Sequence, residues 1–173
     1  MSELVSADHI AAQKGAFEPQ RKNNFSLNFT IRDGTGVDKL IKQSLDSFTW
    51  PKEENTPIDI AFGNEKRKVA GVASFDNCEL VLKDFADQPV MREIIKWRRK
   101  VYKPLTGEIG LAKDYKEQGE VVMFAPNGTL ERRWKLMGMW PSKMDPGGGD
   151  MNSNTNNLIS VTITIDKAVE VNV

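Results

Sequence analysis

Apolar and polar residues alternate along several stretches of the chain, which is the pattern of half-buried β-strands. The alternation is clearest in residues 24–32 and 158–166, with apolar positions at Phe25, Leu27, Phe29, Ile31, Ile159, Val161, Ile163 and Ile165. Residues 74–83 are a further predicted strand. In it Phe75, Leu80 and Leu82 are core candidates, and Cys78 is most simply a small buried apolar group. These stretches predict a mainly β chain.

The longest β-rich stretch is residues 119–140, which predicts two strands joined at Pro126-Asn127-Gly128. Asn-Gly favours a tight hairpin because both residues tolerate the positive φ angles of primed turns. The returning strand places apolar residues on one face and charged residues on the other, with Arg132 interrupting the apolar face: Leu130, Trp134 and Leu136 against Glu131, Arg133 and Lys135. A ribbon of this length needs a surface to pack against and a neighbour for its edges.

A second hairpin is predicted at residues 58–71, with two short strands around a charged tip. Its strands carry few large apolar residues for packing on both faces. We therefore expect this hairpin to project from the domain instead of lying within the core.

One clear helix is predicted over residues 89–102, with Asp87 as its N-cap and Pro89 in the first turn. Its apolar stripe has helical spacing and consists of Val90, Met91, Ile94, Ile95, Trp97 and Val101. Its other face is basic, with Arg92, Lys96, Arg98, Arg99, Lys100 and Lys103 against the single acid Glu93. Residues 105–118 read as a polar loop. Residues 37–50 fit either helix or strand, and we favour a short helical or bulged segment leading into a strand that stops at Pro51.

The predicted fold class is mainly β (α+β), a β-sandwich or partly closed barrel with one flanking α-helix, a projecting β-hairpin and extended termini. Residues 1–22 form an N-terminal arm that is either frayed or ordered by a partner. Residues 23–166 form the β domain, including a Gly/Asn-rich flexible loop at 145–157, and residues 167–173 form a C-terminal tail.

The composition of the chain limits the classes of function that the protein can have. The chain of 173 residues is 39% hydrophobic and 28% charged, an ordinary soluble composition, and its 24 basic residues balance its 24 acidic ones. Any recognition by charge must therefore be local. The single cysteine excludes an internal disulfide framework and fits a reducing compartment. We expect no membrane anchor and no signal peptide, because no long apolar run is present, so the protein is expected to stay in the cytosol where it is made or to be released by lysis.

A search for catalytic, cofactor and metal motifs finds none. The only histidine, His9, excludes a histidine-based metal cluster and argues against a catalytic triad. Residues 147–149 are three glycines without the lysine of a phosphate loop. The basic helix face and Trp97 could bind nucleic acid, but Trp97 lies on the apolar stripe, and a solvated or protein-facing basic surface is the favoured interpretation. Long ribbons without an active site favour an assembly protein, since heterologous edge contacts propagate into rings or filaments.

In order along the chain, several segments resemble the tail tube proteins of contractile-tailed bacteriophages and related phage-like injection particles. The resemblance covers residues 17–170. It includes the hairpin with Arg67 and Lys68 leading into residues 69–77, the helix with Trp97, the Tyr115-Lys116 segment, the ribbon ending in residues 138–141, and the Asp/Asn/Ser loop and strand of residues 150–166. Residues 37–54 and 145–149 depart from the family pattern.

The resemblance implies a structural subunit that forms hexameric rings. These stack into a tube that lies inside a contractile sheath and conducts DNA into the host. Implied partners are other copies of the chain and sheath, baseplate and tail-terminator proteins; the implied location is the virion tail, assembled in the host cytoplasm. An alternative is the tube of a secretion or injection machine that delivers protein cargo. The subunit contact would lie at the hairpin tip, residues Phe62, Gly63, Asn64, Glu65, Lys66, Arg67 and Lys68. The helix face, Arg92, Lys96, Arg99, Lys100 and Lys103, would point outward or into subunit contacts.

Overall fold

The structure is a computed structural model that describes residues 20–30, 37–86, 90–152 and 154–171. The elements below are numbered in chain order. They are β1 (Phe25–Thr30), α1 (Val37–Ser44), β2 (Leu45–Phe48), β3 (Glu53–Phe62), β4 (Glu65–Phe75), β5 (Cys78–Lys83), α2 (Val90–Val101), α3 (Ala112–Tyr115), β6 (Glu117–Phe124), β7 (Leu130–Asp145), β8 (Leu158–Thr164) and β9 (Lys167–Val171). The predicted residues Ile31, Asp87 and Pro89, and the arm with His9 up to residue 19, lie outside the described residues.

Two antiparallel sheets share strand β7. Sheet I has the order β1-β6-β7-β9 and uses the first part of β7, while sheet II has the order β7-β8-β5-β2 and uses the last part. The two sheets face each other across the core and are not closed into a barrel. The mainly β fold class predicted from the alternation is therefore confirmed.

A β-bulge at Gly138 marks where β7 passes from one sheet to the other. Leu136 pairs with Gly119 and Met139 pairs with Glu117, so two residues of β7 stand opposite one residue of β6. Leu136 and Met139 are both buried although they are three positions apart, because the extra residue shifts the alternation by one. Gly138 adopts φ +66°, a conformation that glycine reaches without strain.

The core combines alternating residues of the strands with apolar residues of the two longer helices. Its buried members are Leu27, Phe29, Ile41, Cys78, Leu80, Leu82, Val90, Ile94, Trp97, Val121, Leu136, Met139, Ile159, Val161, Ile163 and Ile165. Trp97 of α2 packs edge-on against Phe29 of β1, with ring centroids 6.2 Å apart. The helix thus covers the core with its apolar stripe, and the prediction that Trp97 is a core residue is confirmed.

The helices differ in number from the prediction. Residues 37–44 form α1, and Leu45–Phe48 then form strand β2, as the favoured interpretation of this ambiguous segment predicts. The polar loop predicted at residues 105–118 contains the short helix α3, however. The described residues thus contain two short helices besides the flanking helix α2, and of these only α3 was not predicted.

Two further expectations are corrected. The Asn127-Gly128 turn is not a two-residue primed turn. Phe124 pairs with Leu130 across a five-residue loop, and Gly128 alone has positive φ there. Asn127 Oδ1 accepts a hydrogen bond from the Thr129 backbone N–H at 3.0 Å.

Residues 167–171 are also not part of a tail, because they form β9, which pairs with β7 from Arg133 to Met137.

Candidate assembly surfaces

Strands β3 and β4 form a two-stranded sheet of their own. Within the described chain they pair with each other and join neither sheet I nor sheet II. The connection is a two-residue turn, because Phe62 pairs with Glu65, and Gly63 at its first position has φ +60°. A glycine with positive φ at this position is the arrangement of a type II′ turn, which matches the twist of a hairpin.

One face of this hairpin is apolar. The cross-strand pairs Phe62–Glu65, Ile60–Arg67 and Ile58–Val69 lie on the same face, because side chains alternate along each strand. The apolar face, defined as Ile58, Ile60, Phe62 and Val69, is exposed to between 36% and 62%. All residues of β3 are exposed, so nothing in the described chain covers this face.

The opposite face is charged. It carries the pairs Ala61–Lys66 and Asp59–Lys68. Lys66 Nζ lies 3.9 Å from Asp59 Oδ2, and both side chains are well exposed. An ion pair this exposed contributes little stability. The charged face is therefore suited to water, and the apolar face is the surface that requires a partner.

The root of the hairpin is anchored to the domain. Phe75 packs against the core, and the backbone N–H of Asp76 donates to the carbonyl oxygen of Lys52 at 2.9 Å. Near the root, a Cβ on Gly71 would lie 2.3 Å from the carbonyl oxygen of Thr56, so only glycine fits there. The hairpin is thus a formed element held at one end, and no described residue covers its strand β3.

The residues predicted for the subunit contact, Phe62 to Lys68, lie at the hairpin tip. They do not form one surface, because Phe62, Glu65 and Arg67 point to the apolar face while Lys66 and Lys68 point to the charged face. Sequence reasoning missed Ile58, Ile60 and Val69. The alternation of Ile58, Ile60 and Phe62 was the available signal, and the pairing register supplies the rest.

Several basic side chains of the helix face already form ion pairs or hydrogen bonds within the domain. Lys96 forms an ion pair with Glu93, Lys103 Nζ lies 2.9 Å from Glu108 Oε2, and Arg98 Nη1 donates to the carbonyl oxygen of Pro141 at 2.8 Å. Arg92 and Arg99 are exposed, and Lys100 is half-buried. Trp97 is buried, and its Nε1–H donates to the carbonyl oxygen of Tyr115 at 2.9 Å. Trp97 therefore offers no ring for base stacking, which argues against a nucleic-acid site on this helix.

A second apolar surface, absent from the sequence-based prediction, lies on the loop between α2 and α3. This apolar loop is residues 102–111, and it exposes Leu105 to 98%, Ile109 to 78% and Leu111 to 61%. Backbone bonds hold it in shape: Lys103 N–H donates to Glu108 O at 3.0 Å, and Gly110 N–H donates to Val101 O at 2.9 Å. A loop with this much internal bonding presents its apolar side chains in a defined arrangement.

An aromatic cluster spans the open side of the domain between the edge strands β1 and β2. Trp50 contacts Phe25, Phe48 and Trp134 at centroid distances of 5.9, 6.2 and 5.2 Å. A cleft of about 590 Å³ lies beside Trp50 and Phe25. Side-chain packing holds the edges together where no backbone pairing closes the barrel.

No group of three or more His, Cys, Asp or Glu among the described residues could hold a metal ion, and none of their helices is long and apolar enough to cross a membrane. Burial, with a smaller contribution from the Asp76 carboxylate, raises the pKa of the Cys78 thiol to about 11. This thiol stays protonated at neutral pH and is a poor nucleophile.

Comparison with known proteins identifies the fold. No protein-family model and no curated sequence matches the chain. A chain in the cryo-EM structure of an extracellular contractile injection system, the PVC sheath–tube complex in the extended state, matches with TM-score 0.67 at 17% identity, over 98% of this chain and 100% of that one. A chain in the structure of the anti-feeding prophage (AFP) tube-terminating cap matches with TM-score 0.68 at 17% identity, over 95% and 99%.

The similarity extends to a bacteriophage. The SPP1 tail tube matches with TM-score 0.52 at 11% identity, over 88% of this chain and 78% of that one. The matches to the injection-system chains run nearly end to end. The chain therefore has the fold of the tail tube proteins of contractile injection systems and phages, and the resemblance predicted from its sequence is confirmed.

Proposed function

We propose that the chain is the tube subunit of a contractile injection machine, in which copies assemble into six-membered rings that stack into a hollow tube. The proposal rests on the apolar face of the hairpin, which no described residue covers. An ordered element that exposes Ile58, Ile60 and Phe62 in one row is a binding surface, since soluble monomers rarely leave such rows open. Of the candidate partners, the fold supports another copy of the same chain.

The assembly partners follow from the similar structures. Those structures are described as a sheath–tube complex, a sheath/tube terminator and a six-fold symmetrised baseplate. They support a tube that contacts sheath, terminator and baseplate proteins, and they support six-fold rings. The tube would then be a component of a tail or of a released injection particle.

We infer that the tube of an injection machine, with protein as its cargo, is a better candidate than a phage tail that conducts DNA. The chains that match with TM-scores of 0.67 to 0.69 come from contractile injection systems, whereas the phage SPP1 tube matches at 0.52. We therefore place the injection machine ahead of the phage tail that conducts DNA, which is the order opposite to that suggested by the sequence alone.

Negative-stain microscopy of the purified protein tests the proposal. We expect rings or tubes that appear as the protein concentration rises, because the hairpin contact is intermolecular. A protein that stays monomeric at high concentration and retards labelled DNA in a gel would overturn it and support a nucleic-acid-binding domain instead.

Cargo is tested on particles purified from the native source. Nuclease-treated particles are analysed for protected DNA and for co-purifying proteins. Protected DNA would reverse the order of the two tube hypotheses, and proteins retained without DNA would support delivery of protein.

A further inference from the structure

Exposed apolar side chains are concentrated in two places. Among the described residues, thirteen large apolar side chains are exposed; five lie on the hairpin and four lie on the apolar loop of residues 102–111. The other four, Phe85, Met137, Met151 and Leu158, are dispersed along the chain. Single exposed apolar residues are common on protein surfaces, but grouped ones indicate an interaction site.

The two surfaces do not cover each other within one copy. Phe62 at the hairpin tip keeps 62% of its surface exposed, and Leu105 on the loop keeps 98%. If the hairpin folded back on the loop of its own chain, both values would fall. Within the part of the chain that the structure describes, neither surface is covered, and a second copy can supply the cover for both.

The charges beside the two surfaces are complementary. Glu65 and Arg67 stand on the apolar face beside Phe62 and Ile60. The loop carries Lys103 and Glu108, whose side chains form an ion pair 2.9 Å apart. The hydrogen bond from Lys103 holds the pKa of Glu108 below its usual value. Each surface thus has one acid and one base, and an acid on either surface can meet a base on the other.

We infer that the apolar face of the hairpin in one copy docks on the apolar loop, residues 102–111, of the next copy. This contact rests on the proposed function and names the two surfaces that meet. It is heterologous, because each copy donates a hairpin and accepts another, and such a contact continues from copy to copy. A hairpin that paired with a second hairpin would close a two-fold dimer and leave Leu105 and Ile109 uncovered.

Disulfide trapping between two populations tests the contact. One population carries Ile60→Cys or Phe62→Cys, and the other carries Leu105→Cys or Ile109→Cys. A disulfide requires Cα atoms within roughly 7 Å, so only direct neighbours react. The native Cys78 is fully buried and does not interfere. The matched control is Ala61→Cys, which is also exposed but lies on the charged face of the same strand.

We expect mixed disulfide dimers with at least one hairpin–loop pair after mild oxidation of assembling protein, and none with Ala61→Cys. Disulfides that form only between two hairpins, or an absence of mixed dimers while the protein assembles into tubes, would overturn the contact and leave the proposed function intact. If the wild-type protein forms no tubes, the proposed function fails, and the contact fails with it.

Introducing a charge on the apolar loop provides a second test of the docking contact. Leu105→Glu is expected to abolish assembly without unfolding the subunit, because the side chain is almost fully exposed. Leu158→Glu, at an exposed apolar residue outside both surfaces, is the control and should assemble. Normal tubes from Leu105→Glu would contradict the docking surface.

Discussion

Strands β5 and β8 and strands β3 and β4 are both antiparallel pairs with alternating apolar residues, but their side chains have opposite environments. In the first pair Leu80, Leu82 and Ile159 are fully buried between the sheets. In the second pair Ile58, Ile60 and Phe62 are 40% to 62% exposed. The alternation is equally regular in both. It therefore indicates that one face of a strand becomes buried, without indicating whether the covering surface belongs to the same molecule.

Removing one large aromatic ring from each region should produce the largest difference between the two. Trp97→Ala should lower the free energy of unfolding by about 3–5 kcal/mol, because it leaves a cavity against Phe29 and removes the hydrogen bond to Tyr115. Phe62→Ala, at an exposed ring, should leave that free energy nearly unchanged and weaken assembly. Denaturant unfolding and sedimentation measure the two effects. Equal destabilisation by both variants would mean that the hairpin packs within its own subunit.

Alkaline pH is expected to destabilise the core. The pKa of Cys78 lies at about 11 in the folded protein against an ordinary value of 9.0, so the folded state holds this proton more tightly. The corresponding stability is present below pH 9 and is lost as the pH rises to about 11, with a magnitude of about 2–3 kcal/mol. Unfolding measured against pH for the wild type and for Cys78→Ala isolates this loss. Parallel pH profiles would show that the thiol does not contribute it.

Gly138 in the domain and Gly63 in the hairpin both have positive φ, but a side chain would meet a close neighbour only at Gly138. At Gly138 a Cβ would lie 2.1 Å from Asp166 Oδ2, whereas at Gly63 it would meet nothing within 4 Å. Gly138→Ala should cost about 1–3 kcal/mol, because it strains the backbone and displaces Asp166 from its ion pair with Lys116. Gly63→Ala should cost less in global unfolding, which urea denaturation measures. A larger loss of unfolding free energy for Gly63→Ala than for Gly138→Ala would contradict this prediction.

The smallest effect on unfolding is expected from adjacent hairpin residues on opposite faces. Ile60→Asp and Ala61→Asp both place a charge on an exposed position, so neither should change the unfolding midpoint. Ile60→Asp should prevent assembly because it charges the apolar face, and Ala61→Asp should not. Microscopy and sedimentation of the two proteins compare them directly. Assembly by both variants would show that the apolar face is not the contact.

Deleting residues 63–68 is a broader version of the same experiment. The deletion should block assembly while the domain stays folded, since these residues are exposed and lie beyond the anchored root. Circular dichroism checks the fold, and unimpaired tube formation would refute the hairpin as the contact.

Much of the fold could be predicted because its signals are local. The alternation of Leu27 and Phe29, or of Ile159 and Val161, depends only on neighbouring residues and on the need to bury one face. The stripe of α2 with Trp97 depends on helical spacing in the same way. The bulge at Gly138 was not predicted, since one extra residue in β7 has meaning only against its partner β6.

The candidate site was predictable only in part. The charged tip from Glu65 to Lys68 indicated a projecting hairpin, but the face of each residue follows from the pairing register, which is a property of two strands together. The apolar loop was missed because Leu105, Ile109 and Leu111 follow no periodic pattern. Strand β9 cannot be recognised from the sequence, because it has only five residues, which are at most partly buried, and its pairing with β7 makes them a strand.

Strand β7 has a mechanical consequence. Its 16 residues extend over about 50 Å and belong to both sheets in turn. A longitudinal thrust applied to one sheet is therefore transmitted to the other along a single covalent backbone, in addition to the side chains packed between them. The sheets cannot slide apart without stretching β7, and the bulge at Gly138 is the point where that strand bends. The domain therefore resists shear through its chain connectivity, a property that would suit the tube subunit proposed above.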